Sequence, residues 1–311
     1  MPPTVQFGLR LAEFPLDSST GEQFRDQLFG YLDEVHEYYA SAWVADHFFP
    51  WLSSVDQSTS TFEAMTTITY LMARYPALRV GSIVLSQGYR PPALLAKMGS
   101  TLHTLSGGRF ILGIGARWKE NEYKAYGYDF PPTGVRIAQL EEAVQVIRAM
   151  WQEEKPTFQG RYYHIQDAFC NPRLTPNPPI LIGGGGRRKT LRIAAQYADW
   201  WNVPGSLENW KSAAAALREH CQAIGRDDRT IVKTWLTDCL AIAPTSEQAG
   251  RLAQSSPLNG SGTIQGNPDE VAARIQEFVD AGVQHFMLRF ADFPKTEGAR
   301  LFAREVLPRF Q

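Results

Sequence analysis

The sequence predicts an α/β protein folded as one (β/α)8 barrel domain over residues 1–311, and three observations carry that prediction. Short apolar runs of strand length alternate with segments whose apolar residues recur every three and four positions, and the alternation yields eight strands. No linker or shift in composition divides the chain. Its 311 residues, 44% hydrophobic and 20% charged, suit a single barrel with a sizeable core.

Val5–Leu11 is the first strand, followed by a helix in which Phe24, Leu28, Leu32, Val35 and Tyr39 share a face. Ala42–Ala45 is the second strand, and Phe62–Leu71 the second helix. Arg79–Leu85 is the third. Pro91-Pro92 then open a helix, where proline's missing N–H does no harm, with Leu95, Met98, Leu102 and Leu105 turned inward. Phe110–Ile114 is the fourth strand. Residues 116–178 read as an insertion: an amphipathic helix bearing Ile137, Leu140, Val144, Ile147 and Trp151, then FQGRYYHIQDAF as a small hairpin or extended excursion. Ile180–Ile182 and Trp200–Val203 are the fifth and sixth strands, with a helix over Leu207–Ile224, and Ile231–Ile242 is the seventh. Asn267 caps a helix that has Pro268 at its first position, Asp269 and Glu270 in its first turn, and Val271, Ile275 and Phe278 on its apolar face. His285–Phe290 is the eighth strand.

With 31 basic and 32 acidic residues the net charge is −1, so nothing draws the chain to nucleic acid or an anionic membrane, and the expected partner is a small molecule. Cys170, Cys221 and Cys239 are odd in number and far apart, giving neither a disulfide framework nor a zinc ribbon, and a reduced cytoplasm is the expected setting. The amino terminus MPPTVQFGLRLAEF lacks the parts of a signal peptide, and no apolar run approaches ~18 residues, so neither export by that route nor a membrane span is expected. His36, His103, His164, His220 and His285 show no metal-binding spacing, and no metal site is expected.

A barrel carries its chemistry at the carboxyl ends of its strands. After the fifth strand the chain reads GGGGRRK, Gly183 to Lys189, and then an amphipathic segment with Leu191, Ala194, Ala195 and Ala198 on one face. Glycines let the backbone approach a ligand closely, and a helix N-terminus offers N–H groups and positive dipole, which together hold a phosphate. A glycine run alone suits a tight strand-to-helix connection equally well; Arg187, Arg188 and Lys189 tilt the balance toward an anion. Directly after the second strand comes Asp46-His47-Phe48-Phe49-Pro50-Trp51. An imidazole beside a carboxylate among aromatics has the parts for proton transfer, and its place after a barrel strand favours that over a merely hydrogen-bonded rim histidine. Gly113-Ile114-Gly115 is not followed by a dinucleotide fingerprint. Trp118, Tyr123 and Tyr126 are candidates for a pocket wall, although helix packing explains them nearly as well.

Along about four fifths of its length the chain resembles the luciferase-like monooxygenase superfamily, and within it the coenzyme F420-dependent oxidoreductases. The resemblance lies in WVADHFFPW, YRPPALLAKMGSTLHTLSGGRFILGIGARW, YGYDFPPTGVRIAQLEEAVQVIRAMW, PPILIGGGGRRKTLRIAAQYADWWN and GNPDEVAARIQEFVDAGVQHFML. It implies a bacterial luciferase-like TIM barrel with insertions, and a bound deazaflavin, coenzyme F420, or alternatively FMN. It implies hydride transfer to or from a small organic substrate, with His47 as acid or base, Asp46 orienting it and Trp51 in the pocket. The FMN alternative is a monooxygenase served by a separate reductase. Ser82, Ile83 and Val84 match the strand that backs the ring, with a non-proline cis peptide expected at Ile83-Val84. Gly184, Gly185, Gly186 and Arg187 match the phosphate loop, and Trp118 joins the cofactor-binding set. Trp118 also stands where sugar-phosphate dehydrogenases of the superfamily carry a glutamate acid, with Glu120 two residues on. A homodimer is expected, with the apolar face of the Phe62–Leu71 helix as a candidate interface.

Overall fold

A computed structural model of the protein describes residues 5–116, 118–173 and 175–310. Its strands in chain order are β1 (Gln6–Arg10), β2 (Ser41–Val44), β3 (Arg79–Ser82), β4 (Leu85–Ser86), β5 (Phe110–Gly115), β6 (Phe158–Gln159), β7 (His164–Ile165), β8 (Ile180–Gly183), β9 (Trp200–Asn202), β10 (Val232–Ile242), β11 (Ile264–Gly266) and β12 (His285–Phe290). The helices are α1 (Gly21–Val35), α2 (Ala64–Arg74), α3 (Pro92–Leu105), α4 (Glu120–Ala125), α5 (Thr133–Gln152), α6 (Thr190–Tyr197), α7 (Leu207–Ala223), α8 (Ser246–Ser255), α9 (Pro268–Ala281) and α10 (Glu297–Glu305).

Eight of the strands pair in parallel in the order β12-β1-β2-β3-β5-β8-β9-β10, and β10 pairs back onto β12, so the barrel closes. Closure leaves the barrel strands buried on both faces, and this is why they read as continuous apolar runs. One layer of the core fills the barrel with Trp43, Ile83, Ile111, Leu181, Trp200, Leu236 and Met287; the larger layer lies between the strands and the helices. The eight predicted strands, including the long seventh, are the eight barrel strands. Asn267 caps α9 through a reciprocal box with Glu270, and Gly282 ends the helix with a φ of 111°.

The structure alters several expectations. Residues 116–178 are only partly an insertion, because α5 is the crossover helix between β5 and β8, while α4 and the β6-β7 hairpin are the additions. Leu105, expected inward, is the last residue of α3 and is exposed, since the helix has reached the barrel's end. The apolar face of α2, with Met65, Ile68 and Leu71, is buried in its own chain, which leaves that face unavailable to a partner. Past Thr237 the register of β10 shifts, and its last residues pair with the unforeseen β11.

Candidate active site

The buried loop after β2 places His47 at the barrel mouth, where its Nδ1 lies 3.1 and 3.2 Å from the two carboxylate oxygens of Glu122. Glu122 is fully buried and also accepts the Phe48 N–H at 2.6 Å and the Tyr89 hydroxyl at 3.1 Å. Helical periodicity explains its direction. Along the short α4, Glu122 and Tyr123 face inward, whereas Glu120 and Lys124 form an ion pair in solvent. Glu120 therefore does not supply the acid that Trp118 lacks.

Asp46 is not the group that orients His47. Its carboxylate accepts the Ser86 N–H at 2.8 Å and a bidentate pair of bonds from Arg90, each 3.0 Å. Arg90 also reaches Glu63, the N-cap of α2. Burial opposes the charge on Arg90, but Asp46 and Glu63 more than offset it and raise the guanidinium's pKa. Asp46 thus ties the histidine loop to the turn after β4, and Glu122 presents the imidazole. With Nδ1–H donated to Glu122, Nε2 becomes the ring nitrogen suited to exchange a proton, a tautomer assigned from these partners.

A second chain of buried charges crosses the mouth. Glu13, beyond β1, accepts from Arg10 at 2.5 Å and from Arg289 at 2.6 Å, and Arg10 Nε lies 3.0 Å from Asp238. Burial pushes the Glu13 carboxyl upward, yet Arg10, Arg289 and the nearby His47 together hold it down to about 2. The register shift in β10 turns Asp238 toward Arg10, with the Thr237 hydroxyl accepting the Cys239 N–H and donating to Gly262 O.

On the opposite side the peptide joining Ile83 to Val84 is cis, as the resemblance implies. Ser82 spends its hydroxyl on the Gly113 backbone, so its side chain closes β3 onto β5. Ile83 enters the barrel core, and Val84 occupies the space that a Cβ on Gly115 or Gly183 would fill, 2.7 and 2.8 Å away. The residues fit a flavin-like group. The backbone runs bare from Gly183 to Gly186, Gly184 has a φ of 125°, and a Cβ on Gly186 would come within 2.8 Å of Thr190. The following helix α6 has no side-chain cap at its N-terminus. Arg187 bonds Ser212, and Arg187, Arg188 and Lys189 are all exposed at this rim.

Trp51 stands 6.4 Å from His47, ring to ring, and Trp118 stands 6.3 Å away on the exposed rim. Trp51 lines a cavity of about 370 Å³ beside β10 and another of about 400 Å³ beside Trp118. Tyr123, Tyr126, Phe48 and Tyr89 pack ring against ring, the helix-packing reading of these tyrosines. Sequence reasoning missed Glu122, Arg90 and the roles of Glu13 and Arg289. No local pattern marks Glu122, whose place is set by a contact 75 positions away in the chain. Among the described residues no cluster of His, Cys, Asp and Glu could hold a metal ion, and no helix is long and apolar enough to cross a membrane.

The sequence profile described as luciferase-like monooxygenase matches residues 38–263. An F420-dependent glucose-6-phosphate dehydrogenase from Kineococcus radiotolerans is 31% identical over 300 residues, spanning 86% of this chain and 88% of that protein. One of the same name from Amycolatopsis mediterranei is 26% identical, over 87% and 90%. Among solved structures, an F420-dependent secondary alcohol dehydrogenase in complex with an F420-acetone adduct superposes with a TM-score of 0.81 at 21% identity over 99% of both chains, a likeness of fold. With the profile matched over most of its length and a relative above 30% identity across the barrel, the chain belongs to the luciferase-like monooxygenase family.

Proposed function

We propose that this protein is an oxidoreductase that uses coenzyme F420 to move a hydride to or from a small organic substrate. The observation that carries the reading is the His47–Glu122 pair at the same barrel mouth as the bare glycine turn and the Ile83-Val84 bulge. The names of the F420-dependent relatives support the choice of cofactor. When bound, F420 supplies the two-electron donor or acceptor. Gly184, Gly185, Gly186 and the N-terminus of α6 hold its phosphate, Arg187 and its basic neighbours face the acidic tail, and Ile83 and Val84 back the ring, with Trp118 at the rim. His47 takes the proton from a substrate hydroxyl, or returns it to a carbonyl oxygen, while Glu122 carries the resulting imidazolium. Trp51 and its aromatic neighbours keep water from the reacting atoms.

Three buried free cysteines fit a reducing cytoplasm, and a homodimer would use outer surfaces such as those bearing Tyr70 and Leu94. Sedimentation checks the dimer. Titrating the apo-protein with F420 and, separately, FMN while following ring absorbance tests the cofactor. Saturable F420 binding is expected. Tight FMN binding with none for F420 would overturn the reading in favour of a monooxygenase fed by a separate reductase.

A further inference from the structure

The cavity of about 370 Å³ beside β10 shares Trp51 with the His47 site. Its wall is Trp51, Leu52, Pro204, Leu236 and Leu258, completed by the glycine-bearing stretch Asn259 to Thr263. Among the described residues that line it there is no lysine, arginine or histidine, and the charged side chain is a carboxylate, Asp238, 31% exposed. The cations behind it are already engaged. Arg10 is shared between Glu13 and Asp238, and Arg289 is held by Glu13, with both guanidiniums almost wholly buried. Freeing either for a ligand would leave Glu13, a carboxylate held down to about 2 by these partners, buried with half its compensation. A phosphate dianion entering this cavity would meet a carboxylate and no cation among the described residues that line it.

We propose that the substrate is an uncharged alcohol or carbonyl compound seated between Trp51 and the β10 irregularity, and that Asp238 excludes phosphate esters. This rests on the F420-dependent reading above and departs from the substrate named for the Kineococcus and Amycolatopsis relatives. The Trp51 indole N–H, buried and without a hydrogen-bond partner among the described residues, offers a donor at the cavity, while Asp238 Oδ1 lies 3.0 Å from Arg10 Nε and leaves the carboxylate's other oxygen to face a ligand. That donor suits a neutral hydroxyl or carbonyl oxygen, and the apolar wall suits its carbon skeleton. Exclusion by an opposing charge is the cheaper half of specificity, since like charges brought together cost several kcal/mol.

The test uses F420-saturated protein, so that the glycine loop is occupied before any phosphate is added. Cyclohexanol and glucose 6-phosphate are compared by turnover, read as loss of the oxidised F420 absorbance, and by calorimetric binding. The alcohol is expected to exceed the sugar phosphate by ~100-fold in kcat/KM, with no millimolar binding of glucose 6-phosphate. Asp238→Asn should raise glucose 6-phosphate affinity ~10-fold by removing the opposing charge. Turnover or sub-millimolar binding of glucose 6-phosphate by the parent protein overturns the proposal, as does an Asp238→Asn variant whose preference is unmoved. If F420 itself fails to bind, the cofactor reading falls before any substrate is tested, which separates the two failures.

Discussion

At the scale of single residues, the mouth is governed by which carboxylate faces which base. His47 is legible in the sequence because it follows a strand directly, and its neighbour Asp46 is the natural guess for its partner. That guess fails because adjacent residues in an extended loop point to opposite sides, and Asp46 turns to Ser86 and Arg90 instead. Glu122 was illegible for a different reason: its meaning depends on a contact across 75 positions, which no local pattern encodes. Glu122→Gln tests the assignment. The amide keeps the volume but sets a donor against either the His47 Nδ1–H or the Tyr89 hydroxyl, which favours the wrong imidazole tautomer. We expect kcat/KM to fall ~100-fold while F420 affinity changes little. Because the two groups act as one unit, the double variant with His47→Ala should be no slower than His47→Ala alone; additive losses would separate them.

At the scale of elements, burial on both faces makes the barrel strands readable as apolar runs, whereas β11 has three residues and α8 buries only Ala249 and Ala253, too little periodicity to detect. Two elements carry predictions. On β12, His285 lies inside the barrel with its Nε2 2.9 Å from the Ser41 hydroxyl, which in turn accepts the Trp43 indole N–H at 2.7 Å. Burial, aided by the Arg79 charge, pushes the imidazole from 6.5 down to about 3. Between those values the unfolded chain binds a proton that the folded chain refuses, so stability rises with pH and is lost as pH falls below 6.5. His285→Gln, whose carbonyl can still accept from Ser41, should lose roughly 2–3 kcal/mol less than the parent between about pH 7 and about pH 4.5 in urea unfolding. An unchanged pH slope would contradict the neutral histidine. Between β3 and β5, a Cβ on Gly113 would lie 1.8 Å from the Ser82 carbonyl oxygen, a backbone atom that cannot step aside. Gly113→Ala should therefore cost ~3 kcal/mol or more, or abolish soluble expression. Gly250→Ala, on α8 with nothing near the new methyl, should instead stabilise by up to ~1 kcal/mol.

At the scale of the whole molecule, the barrel separates stability from chemistry. At its amino-terminal end Arg79 stacks 5.2 Å over Trp200, while its carboxyl end gathers Glu13, Asp46, His47, Glu122 and the glycine turn from four separate strand ends. A ligand that spans this mouth touches several strands at once, so its binding energy is coupled to the closure of the whole sheet and not to one loop. F420 at ~100 times its Kd should then contribute ~2.7 kcal/mol and raise the midpoint of a single thermal transition by roughly 5 °C, read by tryptophan fluorescence. Tryptophans on β2, β9, β10, α5 and α7 report on all sides of the barrel, so coincident signals test that it unfolds as one unit. Gly184→Ala places a side chain at a φ of 125°, at a cost of ~1–2 kcal/mol. That variant should lose most of the cofactor-induced rise while its own ligand-free midpoint falls by only a few degrees. A full F420-induced rise in Gly184→Ala would remove the glycine turn from the cofactor site, whatever the ring contacts elsewhere.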